Sequence, residues 1–319
     1  MQRFMNLGVT PWVFLVAATV VACDGDGEVA DTGPADASDA NAEDVAPPPD
    51  AGDENANDGS LDVVDSEVVD GNALAHASAF TFFKAAPSDP TGKQDFGLDQ
   101  MTKVADALTA VPSPDFDVEV AQDPGQISVA SLRAKLAAYR DSLGEQDTFF
   151  LYAHTHGDTP GLLIDFETGT LEGAAYRWED LAEDIVALPA RNVVITVMAC
   201  HSGYLAEAVN ALGVEWQGQR ESAGRSLIVL TAVSKDQLST PTDVSTDPAA
   251  IGNPFTFAVR TALGGAADGA LDGEQDEKVT ADEFVAYVLK TAKEVSKDGY
   301  AEPQFAGEYV VGEVLFSRP

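Results

Sequence analysis

The feature that most limits the fold of this chain is a set of short, continuous apolar runs: Ala79-Phe-Thr-Phe-Phe-Lys84, Thr148-Phe-Phe-Leu-Tyr-Ala153, Asn192-Val-Val-Ile-Thr-Val-Met198 and Ser226-Leu-Ile-Val-Leu-Thr-Ala232. A strand with one wet face alternates apolar and polar residues; these do not, so each reads as a strand covered on both faces. Phe116-Asp-Val-Glu-Val120 alternates and adds a strand with a drier and a wetter side.

Helical spacing fills the gaps. Leu98, Met101, Val104, Ala105 and Leu108 recur at turns of a helix over residues 98–111. A second helix is predicted over 128–143 with Ser128 as N-cap, and others over 178–188, from near Gly203, over 254–263 and over 280–295. Thr280-x-x-Glu283 opens the last as a capping box. A hairpin is expected around residues 162–171 with Glu167-Thr-Gly169 in its turn, and a closing strand over 308–316. Strands alternating with helices predict an α/β fold, a three-layer αβα sandwich whose central sheet of about six strands is mainly parallel and joined by right-handed crossovers. In such sheets ligands bind beyond the carboxyl ends of the strands.

Composition divides the 319 residues into three parts. Residues 1–22 carry Arg3 and then an apolar stretch from Val9 to Ala22, too short for a comfortable membrane span and read as an export signal. It ends in Val20-Val21-Ala22-Cys23, which resembles a bacterial lipobox, so Cys23 is expected to be lipidated. Residues 23–72 form an acidic tether: between Asp24 and Gly71 there are 16 Asp and Glu and no Lys or Arg. Such a segment buries too little apolar area to offset its chain entropy. Residues 73–319 form the folded domain, with 37 acidic and 17 basic side chains, a balance that argues against nucleic acid as a partner. The expected location is the cell envelope, with the domain facing periplasm or exterior and held to a membrane through Cys23.

Cys200, just past the strand ending at Met198, is the chain's only other cysteine. A thiol alone is as well explained as a small buried hydrophobe. Three of the four histidines, His154, His156 and His201, nevertheless lie beside two predicted strand ends. A histidine on a neighbouring strand end can take the proton of a thiol and return it to a leaving amine, which makes Cys200 and His156 a candidate pair. Backbone N–H groups at Gly157 and Cys200 are candidates for holding an oxyanion.

Tyr152-Ala-His-Thr-His-Gly157 is similar to the Tyr-x-x-Gly-His-Gly that ends the third strand of the caspase-like cysteine peptidases, the group of caspases, metacaspases, legumains and gingipains. Ala199-Cys-His-Ser-Gly203 is similar to their Ala-Cys-His-Ser-Gly or Ala-Cys-x-Ser-Gly, and Leu227 to Ser239 and Pro254-Phe-Thr-Phe257 resemble the strand and helix that follow. The resemblance runs from about Ala79 to Phe316 and implies a caspase-like fold, a His156–Cys200 dyad, an acyl-enzyme, a protein or peptide substrate and no required cofactor. Thr155 stands where the family has Gly, and Met198 where metacaspases have Asp and legumains Glu. Asp158, Met198 and His201 are the expected pocket residues. Met198 supplies no carboxylate, so the acidity of the whole domain is all that points to Arg or Lys on the amino side of the scissile bond.

Three other readings stand beside this one. His154-x-His156-x-Asp158 matches a spacing found in metallo-β-lactamase-like hydrolases, but Thr159 replaces the histidine that should follow. Asp272, Glu274, Asp276 and Glu283 occupy positions 1, 3, 5 and 12 of an EF-hand-like loop, so calcium is a candidate ligand, although Glu277 stands at the sharp turn that normally needs Gly. A caspase-like scaffold without catalysis, kept as a surface binding module, is the third.

Overall fold

The computed structural model describes residues 75–121, 127–212, 223–239, 252–271, 273–296 and 302–318. The expected export signal, Cys23 and the expected acidic tether lie outside the described residues.

A six-stranded sheet forms the middle layer in the order β2-β1-β3-β6-β7-β9. Its strands are β1 (Ala77–Lys84), β2 (Phe116–Ala121), β3 (Thr148–Asp158), β6 (Asn192–Met198), β7 (Ser226–Thr231) and β9 (Gln304–Glu308). The first five pair in parallel and β9 runs antiparallel to β7. Every residue of β1, β6 and β7 is buried, as the continuous apolar runs require.

Alternate residues of these strands feed two separate cores. Phe150, Tyr152, Val194, Ile228 and Leu230 pack with helices α1 (Thr91–Ala110), α6 (Pro254–Thr261) and α7 (Ala281–Val295). Phe149, Leu151, Val193, Ile195 and Val229 pack with α2 (Val129–Ser142), α4 (Trp178–Val186) and α5 (Gly203–Ala211). The period of two along each strand thus sorts one run of side chains into both outer layers. The expected αβα sandwich is the observed architecture.

Local chemistry starts the helices where the sequence places them. Ser128 and Ser131 cap α2 reciprocally, and Thr280 and Glu283 do the same for α7. Asn253 accepts from the N–H groups of Phe255 and Thr256 at the start of α6.

Several expectations need correction. The strand read as residues 148–153 continues as β3 to Asp158, so His154 and His156 lie within it and not past its end. The helix read over residues 98–111 begins at Thr91. The hairpin placed around residues 162–171 has its arms elsewhere: β4 (Gly161–Leu163) pairs antiparallel with the end of β3 and with β5 (Ala175–Arg177). Residues 164–174, with Gly169 in the left-handed region and the short helix α3 (Leu171–Ala174), connect β4 to β5. The closing strand over 308–316 is two strands, β9 and β10 (Val314–Ser317), the latter paired with β8 (Lys278–Thr280). Gly312 breaks the run at φ 76°, a conformation that no β-branched residue there would hold cheaply. Among the described residues no helix is long and apolar enough to cross a membrane.

Candidate active site

The carboxyl ends of β1, β3 and β6 lie side by side. Phe83 pairs with His154 and Lys84 with Thr155 across β1 and β3, and His154 pairs with Met198 across β3 and β6. Two residues beyond this last pair are His156, still in β3, and Cys200, in the turn after β6, so the parallel register carries them to the same edge. The chain turns outward to β2 after β1 and returns to β3 on the other side, which makes this edge the switch point where α/β sheets open a crevice. A cleft partly open to solvent lies here, and its walls include Asp89, His154, His156, Met198, Cys200 and Ser239.

His156 is positioned by Asp89, a residue that the sequence reading missed. After β1 the chain makes a tight turn in which Asp89 N–H donates to the Ala86 carbonyl and Asp89 Oδ2 accepts from Ala86 N–H at 2.8 Å. The same Oδ2 lies 2.8 Å from His156 Nε2. The Asp89 side chain is 7% exposed and that of His156 22%. Burial alone would raise the Asp89 pKa; the hydrogen bond and charge of His156, with Ala86 N–H and Lys93, outweigh it and hold the carboxyl below its ordinary value. The imidazole edge also meets the ring of Phe166 at 5.8 Å between centroids.

Gly157 sets the approach of β3 to the cysteine. A Cβ at this position would stand 2.2 Å from the Cys200 carbonyl oxygen and 3.1 Å from Ala199 Cβ, so only glycine lets the two backbones meet. The residue next to His156 and the backbone of Cys200 are therefore in direct contact, the place where the sequence put candidate oxyanion donors.

Cys200 is 4% exposed, and its thiol donates to the Ser239 carbonyl at 3.4 Å. The segment after β7 folds over this turn. His201, in the left-handed region at φ 57°, donates its N–H to Gln237 O at 2.9 Å, and its Nδ1 donates to Lys235 O at 2.7 Å. Ser202 Oγ accepts from Val233 N–H, which is why it gives α5 no side-chain cap.

The structure separates the other site residues. Met198 lines the cleft, but His201 does not, because its ring is turned to Lys235. Asp158 does not either: its carboxylate accepts from Thr159 N–H and its carbonyl from Trp178 Nε1. His154 is wholly buried; burial first, and the charge of His156 second, push its pKa down to about 3, so it is neutral near pH 7. It packs on Phe83 and Tyr152, while His156 turns to Asp89 and Asp158 to Thr159, so the three do not converge as ligands. No cluster of three or more metal-ligating side chains occurs among the described residues.

The acidic loop before α7 is held together by its own backbone. Glu283 accepts from Gly269 N–H with one oxygen and from Thr280 N–H with the other. Asp276 accepts from Lys278 N–H, and the buried Asp268 accepts from the N–H groups of Asp276 and Glu277. Glu277 takes φ 67° at the position where the sequence reading marked a need for glycine. Glu274 is exposed, and Asp272 lies outside the described residues.

No family model matches the chain, and no curated protein matches it. Among solved structures it is similar to the crystal structure of caspase-1 from Spodoptera frugiperda, at 12% identity and a TM-score of 0.44, over 77% of this chain and 90% of that one.

Proposed function

We propose that this protein is a cysteine endopeptidase in which Cys200 is the nucleophile, His156 the acid and base, and Asp89 the group that orients His156. The observation that carries the reading is the Asp89–His156 hydrogen bond at 2.8 Å in the cleft that also holds the Cys200 thiol. A base oriented by a third group beside a thiol is the arrangement that activates cysteine for acyl transfer.

With Nε2 donating to Asp89, proton exchange with Cys200 falls to Nδ1. The thiol proton passes to His156 and sulfur adds to the peptide carbonyl carbon. The resulting oxyanion is held by backbone N–H groups at the Gly157–Cys200 contact. As the C–N bond breaks, the imidazolium gives its proton to the departing amine. Water, deprotonated by His156, then attacks the thioester, and the acid product leaves with Cys200 restored as thiol. The Asp89 carboxylate stays ionised throughout and favours the imidazolium at each proton transfer.

A peptide library incubated with the full chain, with Cys200→Ala and with His156→Ala tests this. Cleavage by the wild type that both substitutions abolish is the expected result; cleavage surviving Cys200→Ala overturns the thiol mechanism.

The lipobox-like Val20 to Cys23 supports a tethered form with lipid on Cys23 and the domain held off a membrane in the cell envelope by the acidic segment. Membrane partition of the wild type that is lost in Cys23→Ala tests the anchor.

A further inference from the structure

We propose that a second site, at the β9 edge of the sheet, binds an Arg or Lys side chain of an extended polypeptide, with Glu308 answering its charge. The site lies outside the cleft that holds Cys200 and does not depend on peptidase activity.

β9 ends the sheet order and, among the described residues, pairs on one side only, with β7. Glu308 stands opposite Leu227 and Gln304 opposite Thr231, so Glu308 lies at the amino end of β7, whereas Cys200 follows the carboxyl end of the neighbouring β6. From Ser226 to Thr231 the strand rises ~3.4 Å per residue, about 17 Å in all, and that length separates the two ends.

A cleft partly open to solvent lies here, lined by Arg225, Phe305, Gly307, Glu308, Tyr309 and Val310. Gly307 contributes backbone alone: at φ 101° a Cβ on it would stand 2.2 Å from the Leu227 carbonyl oxygen. The rings of Phe305 and Tyr309, two residues to either side, come within 5.5 Å between centroids. Val310 N–H donates to Ser226 Oγ at 3.0 Å and fixes the far end of the wall.

Glu308 Oε2 is buried and has no hydrogen-bond partner. Arg225, in the same wall, turns its guanidinium to the exposed Glu145, with Nη2 2.7 Å from Oε1, so its charge is answered by a carboxylate other than Glu308. A partly desolvated carboxylate with an unpaired oxygen is held at a cost that a counter-charge relieves. A guanidinium or ammonium entering beside Glu308 supplies that charge, and the aromatic pair takes its apolar stem and the cation on a ring face. An anion would meet Glu308 as a like charge. The acid excess of the domain, 37 side chains against 17, draws basic segments toward it. The outer side of β9, without a strand partner among the described residues, favours a polypeptide over a free amine: an extended chain can follow that edge while one long side chain turns into the cleft.

The test uses the full chain carrying Cys200→Ala, so that nothing is turned over, and blocked alanine-based peptides with one central Arg, Lys, Glu or Ala, titrated by calorimetry. The Arg and Lys peptides are expected to bind about tenfold or more tighter than the Ala and Glu peptides, the scale of one charge-assisted hydrogen bond. Glu308→Gln should bring the Arg peptide down to the level of the Ala peptide, and Tyr309→Leu should weaken it about threefold. The acidic residues 24–71 are the same in every variant, so attraction to them cancels from these ratios. If Glu308→Gln loses its native circular dichroism, Tyr309→Leu decides. An Arg-peptide affinity unchanged in these variants, or a Glu peptide that binds as well, overturns the proposal. Blocked free arginine binding as tightly as the Arg peptide gives the cleft to a small cation and overturns the polypeptide occupant. A dimer in sedimentation that Glu308→Gln dissociates gives the edge to a second copy of the chain and overturns it too.

Discussion

His156 Nε2 and Asp89 Oδ2 are 2.8 Å apart although 67 residues separate them in the chain. The turn after β1 brings the carboxylate to the end of β3, where the parallel pairing of β3 with β6 has already placed His156 beside the cysteine-bearing turn.

Asp89→Asn keeps the shape of the pair and removes its charge. We expect kcat to fall by about 10²-fold, between the effect of a single proton-transfer group and the larger loss seen when a buried carboxylate partner is neutralised. The carboxyl's pKa is held below its ordinary 3.8, so its stabilising effect is present above that value and disappears as pH falls through the lower folded value. Denaturant midpoints of wild type and Asp89→Asn should therefore differ at neutral pH and converge below about pH 4.

Gly157→Ala would drive a methyl group to 2.2 Å from the Cys200 carbonyl oxygen. Backbone on both sides leaves little room to yield, so a loss of about 2–3 kcal/mol in stability and at least 10²-fold in kcat/KM is expected. Thermal melting and peptide hydrolysis on the same preparation check it, and a variant as active as the wild type would refute the close approach.

His154 gives the fold a pH dependence of its own. Its folded pKa of about 3 lies below the ordinary 6.5, so between these values the unfolded chain binds a proton that the native chain does not. Stability therefore rises with pH across that window, with a slope on the order of 1 kcal/mol per pH unit. His154→Phe should flatten the dependence of the denaturant midpoint on pH between about 3 and 6.5, measured beside the wild type.

His201→Gly relieves the left-handed backbone and removes the side-chain tie to Lys235 O. The segment ending at Ser239, whose carbonyl covers the thiol, should then open more often. Alkylation of Cys200 by iodoacetamide is expected to accelerate about fivefold or more, since the hydrogen bond lost contributes around 1 kcal/mol. An unchanged rate would show that His201 does not hold the cover closed.

Much of this was written in local sequence. The run from Asn192 to Met198 is the strand itself, end to end, because apolar β-branched residues without alternation fit only a doubly covered position. Ser128, Asn253 and Thr280 mark helix starts because capping is a contact between residues two or three apart. The strand expected over residues 308–316 failed for a related reason: apolar residues on both sides of Gly312 read as one run, but the partners that divide them, β7 for one half and β8 for the other, are remote in sequence.

The sequence by itself determined the layer architecture and drew His156 and Cys200 to neighbouring strand ends, although β3 runs on to Asp158 and so contains His156, because burial pattern and period are properties of contiguous residues. Only the tertiary structure decided that Asp89 lies against His156, that His201 bonds to the segment over the thiol and does not line the pocket, and that Lys84 and Lys93 share the cleft wall. Each of these depends on which loop ends lie together beyond the sheet, and that is set by strand order and crossover packing, not by any stretch of chain read alone.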